Sequence, residues 1–374
     1  RLYEAKMFSH FDHRYGTYEG ATQANLNLGN LPQTNQEQKI DPNFASYPKY
    51  WIPFKNVIEK LGEYQRKWFI VFRGITSSIS ERTSIFTILP IVGVGNSAPL
   101  ILSSIEDASL LACLLGNLNS ITFDYIARQK IAGVNMNFFF VKQLPTLLPN
   151  DYSLSDKNFI IPRVLELVYS AYDMKPFAED IGYLSEPFRW DDNRRSLLRA
   201  ELDAYYAKLY GLNRDELRYI LDPQDVYGSD FPGETFRVLK EKEIRQFGEY
   251  RTRRLVLEAW DRLEGVEVGN PDGYPAQNAA VSQKQETILV PQPKSESRPA
   301  AVQTHLPAPV KPPLPATPQP KVVKEIDPPA GQPTLTDFGL YKCEVCGKMV
   351  MGFEKVNHEQ EKHGGKSVDW KKMR

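Results

Sequence analysis

Between Gly265 and about Leu335 the chain carries no apolar period, and that stretch limits what the rest can become. Fifteen of its 28 prolines lie between Pro271 and Pro333, among Gln, Ala, Ser and Lys. Such a segment buries too little apolar surface to offset the entropy of ordering, and its prolines favour extended polyproline II. It is read as a disordered linker over residues 265–335. The 374-residue chain is thereby divided into a long body, residues 1–264, and a tail of about forty residues, 336–374.

The tail is too small to hold a core of its own, and its spacing supplies a remedy. Cys343 and Cys346 form a CxxC; after eleven intervening residues stands His358, then His363 in an HxxxxH. Two thiolates and two imidazoles, the latter about one helical turn apart, are a tetrahedral zinc set. The metal would provide the folding energy that so small a unit lacks. The expected unit is a zinc finger ligated by Cys343, Cys346, His358 and His363. Its eleven-residue spacing, its filling by Val350, Phe353 and Val356, and its solitary occurrence depart from the usual DNA-reading finger. A protein partner for the finger is as consistent with this pattern as DNA.

Charge narrows the function classes. Lys plus Arg and Asp plus Glu both number 46, so a nucleic-acid contact has to come from a local patch. Three cysteines exclude a disulfide framework, and a CxxC points to a reducing, cytoplasmic setting. No run of about 18 apolar residues offers a membrane span. The chain starts at Arg1 inside what already reads as structured sequence, which leads to the expectation of a C-terminal part of a longer protein.

Within the body, residues 1–49 read as a junction. His10, Asp12, His13 and Arg14 sit among Phe8, Phe11, Tyr15 and Tyr18. This combination suits a hydrogen-bonded junction better than a metal or acid–base site, because no third ligand is near in sequence. Residues 50–159 read as a mixed sheet-plus-helix unit. Tyr50-Trp51-Ile52-Pro53, Trp68 to Gly74, Ser84 to Pro90 and Leu100-Ile101-Leu102 carry strand signals. Gly93-Val94-Gly95 lacks a third glycine and a following helix, so it reads as a bend in the sheet rather than a nucleotide loop. Ser104 to Leu118 reads as a helix. Residues 160–264 read as a helical unit: Arg163–Ala171, Asp191–Tyr210, Asn213–Ile220, and one long helix from Glu234 to about Leu263. The last carries alternating charges, with Arg251, Arg253 and Arg254 clustered as a candidate phosphate contact. The fold class is α+β.

The stretch from Ile121 to Pro149 concentrates the candidate recognition chemistry. Arg128, Gln129 and Lys130 precede a short loop holding Asn135 and Asn137, and Phe138-Phe139-Phe140-Val141 follows, read as a buried strand. Cationic and amide side chains beside a turn are the donors used on phosphates and base edges. Arg73 at a strand end and Arg82 in a loop join them.

Several segments resemble class I N6-adenine DNA methyltransferases of restriction-modification and phage-defence systems, in which methylase and target recognition share one chain. The resemblance is carried by Leu2 to Met7, Phe11 to Arg14, Val94 to Pro99, Phe123-Asp124-Tyr125 with Arg128-Gln129-Lys130, and Asn137-Phe138-Phe139 through Gln143-Leu144-Pro145. Tyr210-Gly211-Leu212 to Leu221-Asp222-Pro223, Phe231 to Phe236, and Arg253-Arg254-Leu255 to Trp260-Asp261 extend it. It covers about two thirds of the chain. It implies a target-recognition domain over 50–159, a helical domain over 160–264, double-stranded DNA as partner and S-adenosylmethionine as cofactor of the parent enzyme. The family's cofactor-binding Gly motif and its Asn-Pro-Pro-Tyr site are absent from this sequence. The resemblance therefore implies recognition of DNA for a base-flipping enzyme and no catalytic residue within these 374 residues. The alternative is a zinc-finger-bearing protein-interaction scaffold without an enzymatic role.

Overall fold

The computed structural model describes residues 1–131, 133–231, 235–266, 340–346, 349–351 and 369–372. Among the described residues, helices predominate and three small sheets accompany them, which makes the architecture α+β.

The organising sheet has three antiparallel strands in the order β3-β2-β5: β2 is Trp68–Phe72, β3 Phe86–Pro90 and β5 Leu100–Ile101. All five residues of β2 are buried. Alternate side chains point to opposite faces of a strand, and here both faces are covered. Trp68, Ile70 and Phe72 join the main core, while Phe69 and Val71 join a smaller one with Tyr3, Met7, Phe8 and Leu89. The second cluster forms because β1 (Leu2–Tyr3) pairs in parallel with β4 (Gly93–Val94). Gly93 is thus a strand residue rather than a mere bend. A Cβ there would stand 2.6 Å from Ile52 Cγ2, so glycine is what lets the two segments approach.

The early helices are short: α1 Gln23–Asn27, α2 Gln36–Ile40 and α3 Phe54–Leu61. Next come α4 (Ala108–Asn119), α5 (Ile121–Lys130) and α6 (Phe138–Val141). The side chain of Asp107 accepts from Ser109 N to cap α4, and that of Ser120 accepts from Phe123 N to cap α5. The expected buried strand at Phe138–Val141 is the helix α6, with Phe138 and Phe139 exposed. Its N-terminus is capped by Asn137, and four residues are too few for periodicity to declare itself.

α7 (Leu154–Val168) starts nine residues before the expected Arg163 and runs through Pro162. α8 (Lys175–Asp180), α9 (Asp192–Leu209), α10 (Arg214–Leu221) and α11 (Pro223–Tyr227) follow. The single long helix expected to end near Leu263 is two, α12 (Arg237–Phe247) and α13 (Arg251–Leu263). They part at Gly248, whose left-handed φ of 78° ends the first.

One continuous apolar core runs from Phe11 through β2, β3, α4, α5, α7 and α9 to Trp260. Packing is therefore unbroken where the boundary near residue 159 was expected. No single described helix is long and apolar enough to cross a membrane; α4 and α5 pass together by length and composition, bent by 59°, and both line the core.

At the tail, β6 (Leu340–Cys343) lies between β7 (Met349–Met351) and β8 (Trp370–Lys372), all antiparallel. The expected linker at 265–335 lies outside the described residues apart from Gly265 and Val266.

Candidate nucleic-acid interface

α5 ends beside two loops, 74–83 and 133–137, and the cations expected to face DNA divide sharply between inside and outside. Arg128 is inside. Its side chain is 4% exposed, and its Nε donates to Asp124 Oδ1 at 2.8 Å. Its Nη1 donates to the carbonyls of Ser78 (2.9 Å) and Thr235 (2.8 Å), and its Nη2 to those of Ser80 and Glu81 (both 2.8 Å). The guanidinium plane lies 4.3 Å from the Phe236 ring centroid. Arg128 is therefore a tie that holds the 78–81 loop and the start of α12 on α5. No donor is left for a base.

Arg82 shares the same carboxylate. Its Nε donates to Asp124 Oδ2 at 2.7 Å and its Nη2 to Asn119 O at 2.5 Å, while Asp124, fully buried, also accepts from Thr83 N. Burial pulls the Arg82 pKa down, Asp124 beside it pulls it up, and the net direction is upward. Arg73 donates through Nε to Phe8 O at 2.9 Å and stacks between the Phe8 and Tyr15 rings; burial lowers its pKa. Of the three arginines expected to contact DNA, Arg128 has every donor engaged within the fold, while Arg73 and Arg82 each commit part of the guanidinium to it.

The Arg251–Arg254 cluster is also engaged with neighbouring side chains. Arg251 donates to Asn193 Oδ1 at 3.0 Å and lies over Phe247. Arg253 pairs with Asp225 at 2.9 Å, and Arg254 pairs with Glu249 at 3.0 Å and Glu258 at 2.9 Å. Interleaved carboxylates cancel the field that a phosphate would need.

The remaining candidates do reach the surface together. Gln129, Asn135 and Asn137 are exposed and Lys130 is half-exposed. Their loop is stitched to the neighbouring one by an Ile75–Asn135 bridge, whose two hydrogen bonds run from Thr76 N to Val134 O at 3.0 Å and from Met136 N to Gly74 O at 2.8 Å. Met136, fully buried, anchors it, and the Thr76 and Thr83 hydroxyls donate to Thr83 O and Ser77 O within the 74–83 loop. Asn137 Oδ1 is occupied in accepting from Phe140 N at 3.3 Å. Around this polar edge Ile75, Ile79, Val134 and Phe139 stand 60–73% exposed. These apolar members went unnoticed in the sequence; isoleucines inside a Ser/Thr-rich loop were the available signal. The result is a pinned rim presenting one ammonium group, amides and apolar tips.

His10, Asp12, His13 and Arg14 form the expected buried junction. His13 Nε2 lies 2.8 Å from Asp173 Oδ1, Asp12 meets Lys39 Nζ at 2.6 Å, and the Arg14 guanidinium donates to the carbonyls of Lys39, Asp41, Phe44 and Ser170. His10 Nε2 lies 2.6 Å from Ser84 O beside a cavity of about 10 Å³ that Arg82, Asn119 and Asp203 also line. Burial and the Arg82 and Arg199 cations hold the His10 pKa well below the usual imidazole range. Burial raises that of Asp203 to about 6.

In the tail, Cys343 closes β6 and Cys346 sits in the turn that follows, before β7. Both thiols of the CxxC are thus on one hairpin turn, the placement a tetrahedral site uses for half its ligands. His358 and His363 lie outside the described residues, and among the described residues no group of three or more ligand-type side chains is assembled.

No known protein family, curated protein or solved structure matches the chain.

Proposed function

We propose that this chain recognises double-stranded DNA for an N6-adenine methyltransferase, with the rim formed by Gln129, Lys130, Asn135 and Asn137 as the contacting surface. The observation that carries the reading is the pinned rim: two loops held by Arg128, Met136 and two backbone hydrogen bonds expose amides and an ammonium group side by side. Amides are the side chains that pair with adenine edges in the major groove, and a lysine supplies a phosphate contact. Recognition residues gain from standing on a rigid scaffold, since little side-chain and loop entropy is then lost on binding. The chain's sequence contains no Asn-Pro-Pro-Tyr motif, so methyl transfer from S-adenosylmethionine is assigned to sequence other than this chain. The test is duplex binding by the full chain at several salt concentrations. Asn135→Ala is expected to relax the preference among duplex sequences, at a cost of about 1–3 kcal/mol on the preferred site. Unchanged affinity and preference in Asn135→Ala and Lys130→Ala together would sink the assignment.

A second reading has its own support in the hairpin that carries Cys343 and Cys346. We propose zinc ligation by these thiols with His358 and His363, in a unit that recruits a protein partner. Chelation should abolish partner capture and leave duplex affinity untouched; equal loss of both would count against it.

A further inference from the structure

A second surface lies away from the rim, where Tyr47 to Lys60 crosses the outside of the small sheet β1–β4. Five large apolar side chains stand exposed within twelve residues: Tyr47 and Tyr50 at 52%, Trp51 at 60%, Phe54 at 62% and Ile58 at 45%. They are not a frayed end. The segment is pinned by Tyr18 N to Tyr47 O at 2.9 Å, Tyr47 N to Thr17 Oγ1 at 3.0 Å and Leu2 N to Tyr50 O at 3.0 Å. Ile52, next to Trp51, packs against Gly93, which leaves Trp51 facing outward. In α3 only Val57 is buried and Leu61 half-buried, so Phe54 and Ile58 extend the aromatic surface along the helix. The Tyr47 and Trp51 rings meet edge to face at 5.6 Å.

The charges here differ from those elsewhere. Lys49, Lys55 and Lys60 are exposed and interleaved with the rings, against one carboxylate, Glu59. Among the described residues none of these three ammonium groups is in an ion pair, whereas Arg253 and Arg254 are paired. Lys49 Nζ lies 5.2 Å from the Tyr50 ring centroid. Large exposed apolar patches mark interaction sites, and this one carries lysine, a residue type depleted from protein–protein interfaces. Flat rings with unpaired cations between them suit bases that can stack and a backbone of phosphates. Duplex bases hide their faces, and this surface has one amide, Asn56, with which to read base edges.

We infer that Tyr47, Tyr50, Trp51 and Phe54, with Lys49 and Lys55, bind single-stranded nucleic acid by stacking. This surface is separate from the rim proposed for duplex recognition, and each can fail without the other.

Trp51 reports directly. Trp51 is 60% exposed, whereas Trp68, Trp190 and Trp260 are 1%, 9% and 6% exposed. Titrating the full chain with oligothymidylate should quench and shift its emission and protect it from iodide. Trp51→Ala should weaken binding about 5- to 150-fold, the range of one stacking contact, and Trp51→Phe should restore most of it. Lys49→Gln and Lys55→Gln should each reduce the salt slope by about 0.7. Duplex competitor should displace the oligonucleotide poorly, and Lys130→Ala should not alter oligonucleotide binding. No emission change on titration, or equal affinity in Trp51→Ala with far-UV circular dichroism unchanged, would overturn the inference. So would self-association of the chain that Trp51→Ala abolishes, which would make the patch a protein interface.

Discussion

Arg128 and Lys130 stand two residues apart on the last turn of α5 and belong to opposite regions of the molecule. The first is in an interior where cations serve the fold: Arg73, Arg82 and Arg128 donate hydrogen bonds to backbone carbonyls and, for the last two, to Asp124. The second is on a surface where cations remain available, as are Lys49, Lys55 and Lys60 beyond it. Arginine's planar fork suits several fixed acceptors at once, and lysine's point charge on a flexible stem does not. In this chain, accordingly, several buried ties are arginines, and the cations of the rim and of the Tyr47–Lys60 surface are lysines.

The comparison is tested most severely at Arg128. Arg128→Ala leaves the fully buried Asp124 with one guanidinium instead of two and releases the carbonyls of Ser78, Ser80, Glu81 and Thr235. Removing one partner from a buried ion pair costs about 3–5 kcal/mol. Chemical denaturation should show a loss of that size with Thr76–Thr83 becoming protease-sensitive. If Arg128→Ala instead kept its stability and lost DNA affinity alone, the division between tie and contact would be broken.

A smaller effect separates two groups within the interior. Asp203 is 4% exposed, and its pKa rises from 3.8 to about 6 on folding. The folded state therefore takes up that proton first; the stability it contributes is full below about pH 4 and is lost as pH rises through about 6. At about 1.4 kcal/mol per unit the swing is about 3 kcal/mol. His10 acts with the opposite sign. Its folded pKa is depressed, so its contribution is present above pH 6.5 and lost as pH falls toward the folded value. The two line one cavity with Arg82 and Arg199 and oppose each other between pH 4 and 6.5. Unfolding measured across this window should become more acid-labile in Asp203→Asn and less so in His10→Gln. Parallel pH curves for both variants and the parent would remove this account of the cavity.

What could be read in advance follows the same division. Strands β2 and β3 were legible because five-residue apolar runs bounded by turns have few alternatives, and α9 and α10 because Asp191 and Asn213 cap amphipathic patterns. α5 was not, because Ile121 to Arg128 are all buried, Asp124 included, and a helix covered on every side shows no polar stripe. The roles of its cations were hidden with it. One signal was present and was missed: Asp124 and Arg128 are four apart, the spacing of a same-face ion pair, and it becomes visible only once the segment is taken as helical. The charges that alternate around Arg251 to Arg254 in the sequence pair with one another in the structure. The exposure of Trp51 and Phe54 was illegible for the converse reason: an aromatic run reads as core until folding leaves it outside.

Lys130→Ala should give the smallest change in stability and the most informative one. The side chain is half-exposed at the C-terminal end of α5, where a cation gains from the helix dipole. Losing that interaction in the open costs a few tenths of a kcal/mol, so the variant should unfold within about 0.5 kcal/mol of the parent. Its effect on duplex binding is expected on a different axis. Loss of one phosphate contact lowers the slope of log affinity against log salt by about 0.9 and weakens all duplex sequences alike. Arg128→Ala, measured under conditions where it stays folded, should leave that slope unchanged, because its guanidinium has no donor facing solvent. A reduced slope in the arginine variant and an unchanged one in the lysine variant would reverse the two residues' roles, and with them the placement of the DNA contact on the rim.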